Sequence, residues 1–208
     1  MGGTGHTGRA DGRSLRRARN RDAVLDAVIE IFEAGDLDPS VDAVAERAGV
    51  SNRSIYRYFD HRDHLMRAAV THAMRRVIPE IQLDGIGVGP FDERVQRFVD
   101  HRLQMYQRLA PITRAAKRAA QSEPIIAEEF DAGRLVLRRS FLDHFADEFA
   151  PLGPAERTRA VLTAELAFQF EAFEFLWSST NGQVPEMRAI LIDHLTVCLG
   201  RLRTSTAC

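Results

Sequence analysis

The side chains with chemical potential cluster between Ser40 and Arg62. Arg53, Arg57 and Asn52 can hydrogen-bond base edges, and Ser54 and Tyr58 suit phosphate oxygens. Ile55 and Phe59, four residues apart, fall on the opposite side of a helix, facing inward. This is the chemistry of recognition, not of bond making. The residues just upstream supply a scaffold. A helix-turn-helix crosses two helices steeply over a short turn. It needs a small residue at the crossing, a glycine able to take positive φ at the turn, and a branched apolar residue in the second helix. Ala45, Gly49 and Ile55 fill these places, Val44, Ala48 and Val50 form the seam, and Ser51 can cap the second helix. An αα-hairpin with a solvated polar face is the alternative. The position near the N-terminus, behind an amphipathic helix, favours DNA.

Nothing else in the chain reads as an active site. There is no His-Glu-x-x-His, Cys-x-x-Cys, phosphate loop or Gly-x-Ser-x-Gly. His61 and His64 have the spacing to share a metal, but no third ligand is placed, so neither metal nor cofactor is expected. Of the two cysteines, Cys198 lies on an apolar stripe and Cys208 reads as an exposed thiol, so a reducing cytoplasm is the expected location. The greasiest stretch, Ala164 to Trp177, contains Glu165, Glu171 and Glu174, which excludes a membrane span.

The 208 residues carry a net charge of −1, which rules out a uniformly basic nucleic-acid coat. Residues 1–62 balance ten arginines against ten acids, but residues 9–21 hold six arginines and one acid, and residues 51–62 hold three and one. The positive charge is therefore placed rather than spread. The N-terminal arginines, Arg17 among them, could reach along the backbone or into the minor groove. A frayed, solvated tail is the alternative.

Apolar periodicity places the elements that must position these groups. Residues 1–13 are glycine-rich and read as a disordered arm. From Arg16, the spacing of Val24, Leu25, Val28, Ile31 and Phe32 predicts a helix stopped by Gly35. Ser40 caps a second helix, Ser51 a third over 52–59, and a fourth starts near Arg62 and ends before Pro79. Residues 81–90 read as a linker. Further helices follow from Phe91, then over 111–120, 124–149, 154–179 and 184–203, each set off by proline. The chain reads as all-α with about nine helices. The arm occupies 1–13, a DNA-binding domain 14–62, and a helical domain for dimerisation and effector binding 63–208.

Residues 17–78 resemble the DNA-binding domain of the tetracycline-repressor (TetR) family of bacterial regulators. The likeness is carried by Phe32-Glu33-Ala34-Gly35, by Val44-Ala45-x-x-Ala48-Gly49-Val50-Ser51, by Ser54-Ile55-Tyr56-x-Tyr58-Phe59 and by Arg62-x-x-Leu65. It implies that Tyr56 and Tyr58 touch phosphate or brace the recognition helix. It also implies that Asn52, Arg53, Ser54 and Arg57 contact bases or phosphates, and that Ser40 stands where a helix start meets a phosphate. Arg62 replaces the lysine frequent in the family, and Arg53 replaces a small residue, so no operator sequence carries over. The resemblance further implies a repressor that dimerises and binds a small-molecule effector through its C-terminal domain, with a double-stranded operator as partner.

The second domain supports that expectation independently. The segment Val161–Trp177 is apolar on more than one face, and so is the last helix. One face of each can bury at home and the other against a second copy, although both could instead form a monomer core. Phe168, Phe175, Ile190, Leu191, His194, Leu195 and Cys198 are the candidate dimer residues. Phe98, His101, Met105, Tyr106, Phe141, His144, Phe170, Phe173 and Trp177 are the candidate effector wall, with the two histidines as polar handles. The twelve phenylalanines favour an apolar or aromatic effector. The competing readings are a helical interaction module without DNA binding and a redox-responsive regulator using Cys198.

Overall fold

The computed structural model describes residues 7–77, 82–120 and 124–204. Residues 1–6 of the expected arm, residue 81 of the expected linker and Cys208 lie outside them. The described chain is all-α. Its helices are α1 (Thr7–Glu33), α2 (Val41–Ala48), α3 (Asn52–Tyr56), α4 (Arg62–Val77), α5 (Phe91–Ala120), α6 (Pro124–His144), α7 (Ala146–Phe149), α8 (Pro154–Glu165), α9 (Phe170–Ser179) and α10 (Val184–Thr204). A 3-10 turn, Leu166–Phe168, joins α8 to α9.

Two compact units form. One takes residues 1–80 and 110–127, the other 81–109 and 128–208. The first extends beyond residue 62 because α4 packs back on α1, burying Leu65, Ala69 and Ala73 as its spacing requires. Val24, Leu25, Val28 and Phe32 of α1, Val44 and Ala45 of α2, Ile55 and Phe59 complete that core. The start and stop signals hold. Gly35 and Gly49 adopt positive φ (99° and 65°), and Ser40 Oγ accepts from the Ala43 N–H at 3.1 Å. Helix α1 begins at Thr7, so residues 7–13, expected in the arm, are helical; arginine is a good helix former, and extending an existing helix is far easier than nucleating one.

Three other expectations are corrected. Pro111 does not start a helix but lies inside α5. It removes one backbone bond and crowds the preceding turn. The rest of this 30-residue helix, burying Val95, Phe98, Val99 and Leu103 in one unit and Ile112, Ala115 and Ala116 in the other, carries it through. The expected 124–149 helix breaks at Phe145, and the expected 154–179 helix breaks at Leu166–Gln169, where Gln169 is extended (φ −80°, ψ 154°).

In the second unit, α10 packs on α7, α8 and α9. Phe98, Phe141, Phe145, Phe149, Met187, Leu191, Leu195 and Leu199 are buried. The 85–89 segment is exposed but held by side-chain bonds from α5. Arg97 Nη1 donates to the Gly85 and Val88 carbonyls at 2.9 and 2.8 Å, and Arg94 Nε donates to Gly89 O at 3.2 Å. Behind it lies a buried bidentate pair, in which Arg94 Nη1 and Nη2 donate to Glu148 at 2.9 and 2.5 Å.

Candidate nucleic-acid interface

The turn between α2 and α3 is built from backbone outward. Gly49 closes α2 with its N–H on the Ala45 and Glu46 carbonyls. Ser51 Oγ then accepts from the Ser54 N–H at 3.3 Å and meets Ser54 Oγ at 3.0 Å. Helix α3 is shorter than the expected 52–59. Its exit tightens, with the Tyr58 N–H on Ile55 O at 2.8 Å, while the Phe59 N–H keeps the helical bond to the same carbonyl at 3.0 Å. Ile55 and Phe59 therefore point inward as their spacing requires, and Arg53, Tyr56 and Arg57 stand exposed.

An arginine–aromatic cluster forms on this face. Arg57 Nη2 donates to Tyr58 Oη at 2.8 Å, and its guanidinium lies 5.0 Å from that ring's centroid. Arg17 of α1 lies 5.9 Å from the same ring, and Arg21 lies 5.4 Å from Phe59. Packing thus brings Arg17 and Arg21 of α1 to the turn that follows α3. Arg21 was not among the expected contacts; the charge excess of residues 9–21 was its only signal. The arrangement holds two guanidinium groups on one amphipathic ring, positioned for the planar contacts that arginine makes with phosphates and guanine edges.

Two expected contacts are engaged inside the protein. Asn52 Nδ2 donates to the Asp42 carboxylate, tying α3 to α2. Arg62 donates to the Asp38 carboxylate and, at 3.0 Å, to the Pro39 carbonyl, so it braces the loop before α2. The hydrogen bond and charge of Arg62 hold the Asp38 carboxyl below its ordinary range. Ser40 and Ser51 serve as helix caps. His61 and His64 cap α4, with His61 Nδ1 accepting from the His64 N–H at 3.1 Å and His64 Nδ1 from the Asp60 N–H at 3.3 Å.

In the second unit the expected effector residues separate. Phe98, Phe141 and Phe168 form a buried cluster with ring centroids of Phe141 and Phe168 5.3 and 5.1 Å from Phe98. Tyr106, Phe170, Phe173 and Trp177 form a second file, each ring within 6.1 Å of a neighbour. Tyr106 Oη donates to Phe168 O at 2.6 Å, and burial pushes its phenol up to about 12. Met105 is buried and His101 half-buried. His144 is no handle for a ligand. Its Nδ1 accepts from the Gly87 N–H at 3.3 Å, so Nε2 must carry the proton it donates to Arg94 O at 3.0 Å. An open groove of about 390 Å³ lies elsewhere, lined by Leu135, Arg138, Leu142 and Arg157 among others.

Burial pulls the His144 imidazole below the ordinary histidine range, while its bond to the Arg94 carbonyl works against this. The unfolded chain therefore takes up a proton near pH ~6.5 where the folded one does not, so stability present at neutral pH is lost as pH falls below that value. His144→Phe, which removes the acceptor of the Gly87 N–H and the donor to the buried Arg94 carbonyl, should cost about 0.5–1.5 kcal/mol at pH 7. Urea titrations at pH 7 and 5 should show the gap to wild type narrowing at the lower pH.

The expected dimer residues also divide. Phe168, Leu191 and Leu195 are buried at home and unavailable to a second copy. The break at 166–169 resets the helical phase, so stripes drawn through a continuous helix do not carry across it. Exposed instead are Leu162, Leu166, Phe175, Ile190 and Val197, with Phe175 69% accessible. Only Phe175 and Ile190 of these were expected. His194 is half-buried, its Nε2 3.2 Å from Ala164 O, and Cys198 Sγ lies 3.8 Å from that nitrogen. Burial raises the Cys198 thiol, which suppresses the thiolate that redox sensing requires.

Residues 24–69 match the model of the bacterial regulatory proteins of the tetR family. The fold is similar to the crystal structure of a Rhodococcus sp. protein assigned to the TetR-family transcriptional regulators, at 20% identity and a TM-score of 0.63, covering 87% of this chain and 99% of that one. No curated protein matches the chain. No helix among the described residues is long and apolar enough to cross a membrane. The helix-turn-helix of α2 and α3, with its arginine–tyrosine face, thus lies inside the stretch that is similar to the bacterial regulatory proteins of the tetR family, and the chain shares the fold of the Rhodococcus protein.

Proposed function

We propose that the chain is a cytoplasmic, ligand-responsive repressor that binds a palindromic operator as a homodimer. The observation that carries the DNA-binding part is the stacking of Arg17 and Arg57 on Tyr58 beside the capped recognition helix. The exposed Leu162, Leu166, Phe175, Ile190 and Val197 support pairing with a second copy, since large apolar side chains left at the surface are what such a contact would cover. A twofold protein presents its recognition helices to half-sites about 34 Å apart. An effector that prefers a different separation releases the operator through that difference in affinity.

Selection on random duplex DNA tests the reading. It should return an inverted repeat with half-sites about one helical turn apart, bound with steep salt dependence. Recovery of no preferred sequence, together with an affinity that ignores salt, would leave the helical interaction module as the better reading.

A further inference from the structure

The second unit contains two buried arginines in opposite circumstances. Arg94 is neutralised by Glu148. Arg102, 3% exposed, has no carboxylate partner among the described residues. Its Nη2 donates to the Leu137 carbonyl at 2.8 Å. Its Nη1 reaches only the Met105 sulfur at 3.8 Å, a weak acceptor, and its Nε has no acceptor. The buried Glu165 carboxylate, whose field reaches Arg102, is already engaged by Arg138 at 2.7 Å. A buried guanidinium with unused donors and no counter-ion is costly. Burial accordingly weakens its hold on its proton, the reverse of Arg94. Sites that break a folding rule in this way are commonly functional.

The surroundings define what such a charge would receive. The Phe98 ring lies 4.8 Å from the guanidinium. One helical turn along, Tyr106 begins the file that passes through Phe173, at 5.4 Å, to Trp177, at 5.8 Å, which is 38% exposed. This file reaches the surface at Trp177, near the C-terminal end of α9 and beside Gly182.

We propose that Arg102 is the anion-binding residue of the effector site, and that the effector is a small apolar carboxylate. Its head group pairs with the guanidinium, and its hydrocarbon body lies along Tyr106, Phe173 and Trp177. This rests on the ligand-responsive reading above and names its ligand class. A neutral analogue of the same shape leaves the buried donors unpaired and is rejected for that reason.

The test uses the full chain with 2-naphthoate and decanoate as probes, beside 2-naphthalenemethanol and decanol. Calorimetry should show at least one acid binding tenfold or more tighter than its alcohol. Arg102→Met should abolish that preference and weaken the acid at least tenfold, while its ligand-free Tm equals or exceeds that of wild type because an uncompensated charge is gone. Arg102→Lys should keep part of the preference. Equal binding of acids and alcohols, no binding of either acid, an unchanged preference in Arg102→Met, or a lowered ligand-free Tm in that variant would each overturn the proposal. Operator binding is followed separately by fluorescence anisotropy. Failure there, with the acid preference intact, defeats the regulator reading and leaves the Arg102 site standing.

Discussion

Glu148→Ala is expected to destabilise the second unit by about 3–5 kcal/mol, the largest effect of any single change to its polar groups. The substitution does more than delete an ion pair. Arg94 is 5% exposed, lies near the Phe91 and Phe145 rings, and spends its remaining donors on Gly89 O and, at 2.8 Å, on His144 O. It cannot swing out to water without giving up its bonds to Gly89 O and to His144 O at the end of α6. Removing the carboxylate therefore strands a charge in a dry, aromatic setting. The double variant Arg94→Met/Glu148→Leu should recover most of the loss, since replacing both members of a buried pair is often close to neutral. Chemical denaturation of the three proteins measures this. A Glu148→Ala midpoint equal to wild type would show that the pair is not the strut described.

Arg57→Ala is expected to weaken operator binding by about 1–3 kcal/mol while leaving folding within about 0.5 kcal/mol of wild type. The side chain is exposed, and among the described residues its hydrogen bond and ring contact are with Tyr58, so its loss leaves no buried group unpaired there. Anisotropy against salt concentration separates its two possible tasks. A phosphate contact lowers affinity for every sequence and reduces the salt slope by about one, whereas a base contact relaxes preference at one operator position. Tyr58→Ala should mimic the change in part, because both Arg17 and Arg57 lose their platform. Unchanged affinity in Arg57→Ala would remove the arginine–tyrosine cluster from the interface.

The helix-turn-helix was legible because its determinants are local. Gly49, Ser40, Ser51 and the Ile55/Phe59 pair each act within a few residues of themselves, and their spacing states their role. The intramolecular partners of Asn52 and Arg62, both expected at DNA, were hidden for the opposite reason. Those partners, Asp42 and Asp38, are 10 and 24 residues away and meet them only once α2, α3 and the start of α4 have come together. The break at 166–169 was hidden more completely. Leu166, Ala167, Phe168 and Gln169 include no glycine or proline, and intrinsic preference continues the helix. Tyr106 takes the Phe168 carbonyl from 62 residues away, and Gln169 Nε2 caps the Glu165 carbonyl at 3.2 Å. At Pro111 the error ran the other way, with a local rule overridden by the buried length of α5. Arg102 was invisible as a site, since nothing in Asp100-His-Arg-Leu103 separates a buried arginine from a solvated one.

The anchoring of the 85–89 segment also sets a timetable for the emerging chain. Gly87 waits for His144, 57 residues later, and Arg94 waits for Glu148, 54 residues later. Closing a loop of that length is slow relative to forming a helix. Helices α1 to α4 meet one another within the first 80 residues, so their docking need not await synthesis of α6 and α7. Within 85–89 the bonds from Arg94 and Arg97 can close as α5 forms, whereas the Gly87 N–H gains its acceptor only once His144 has been made.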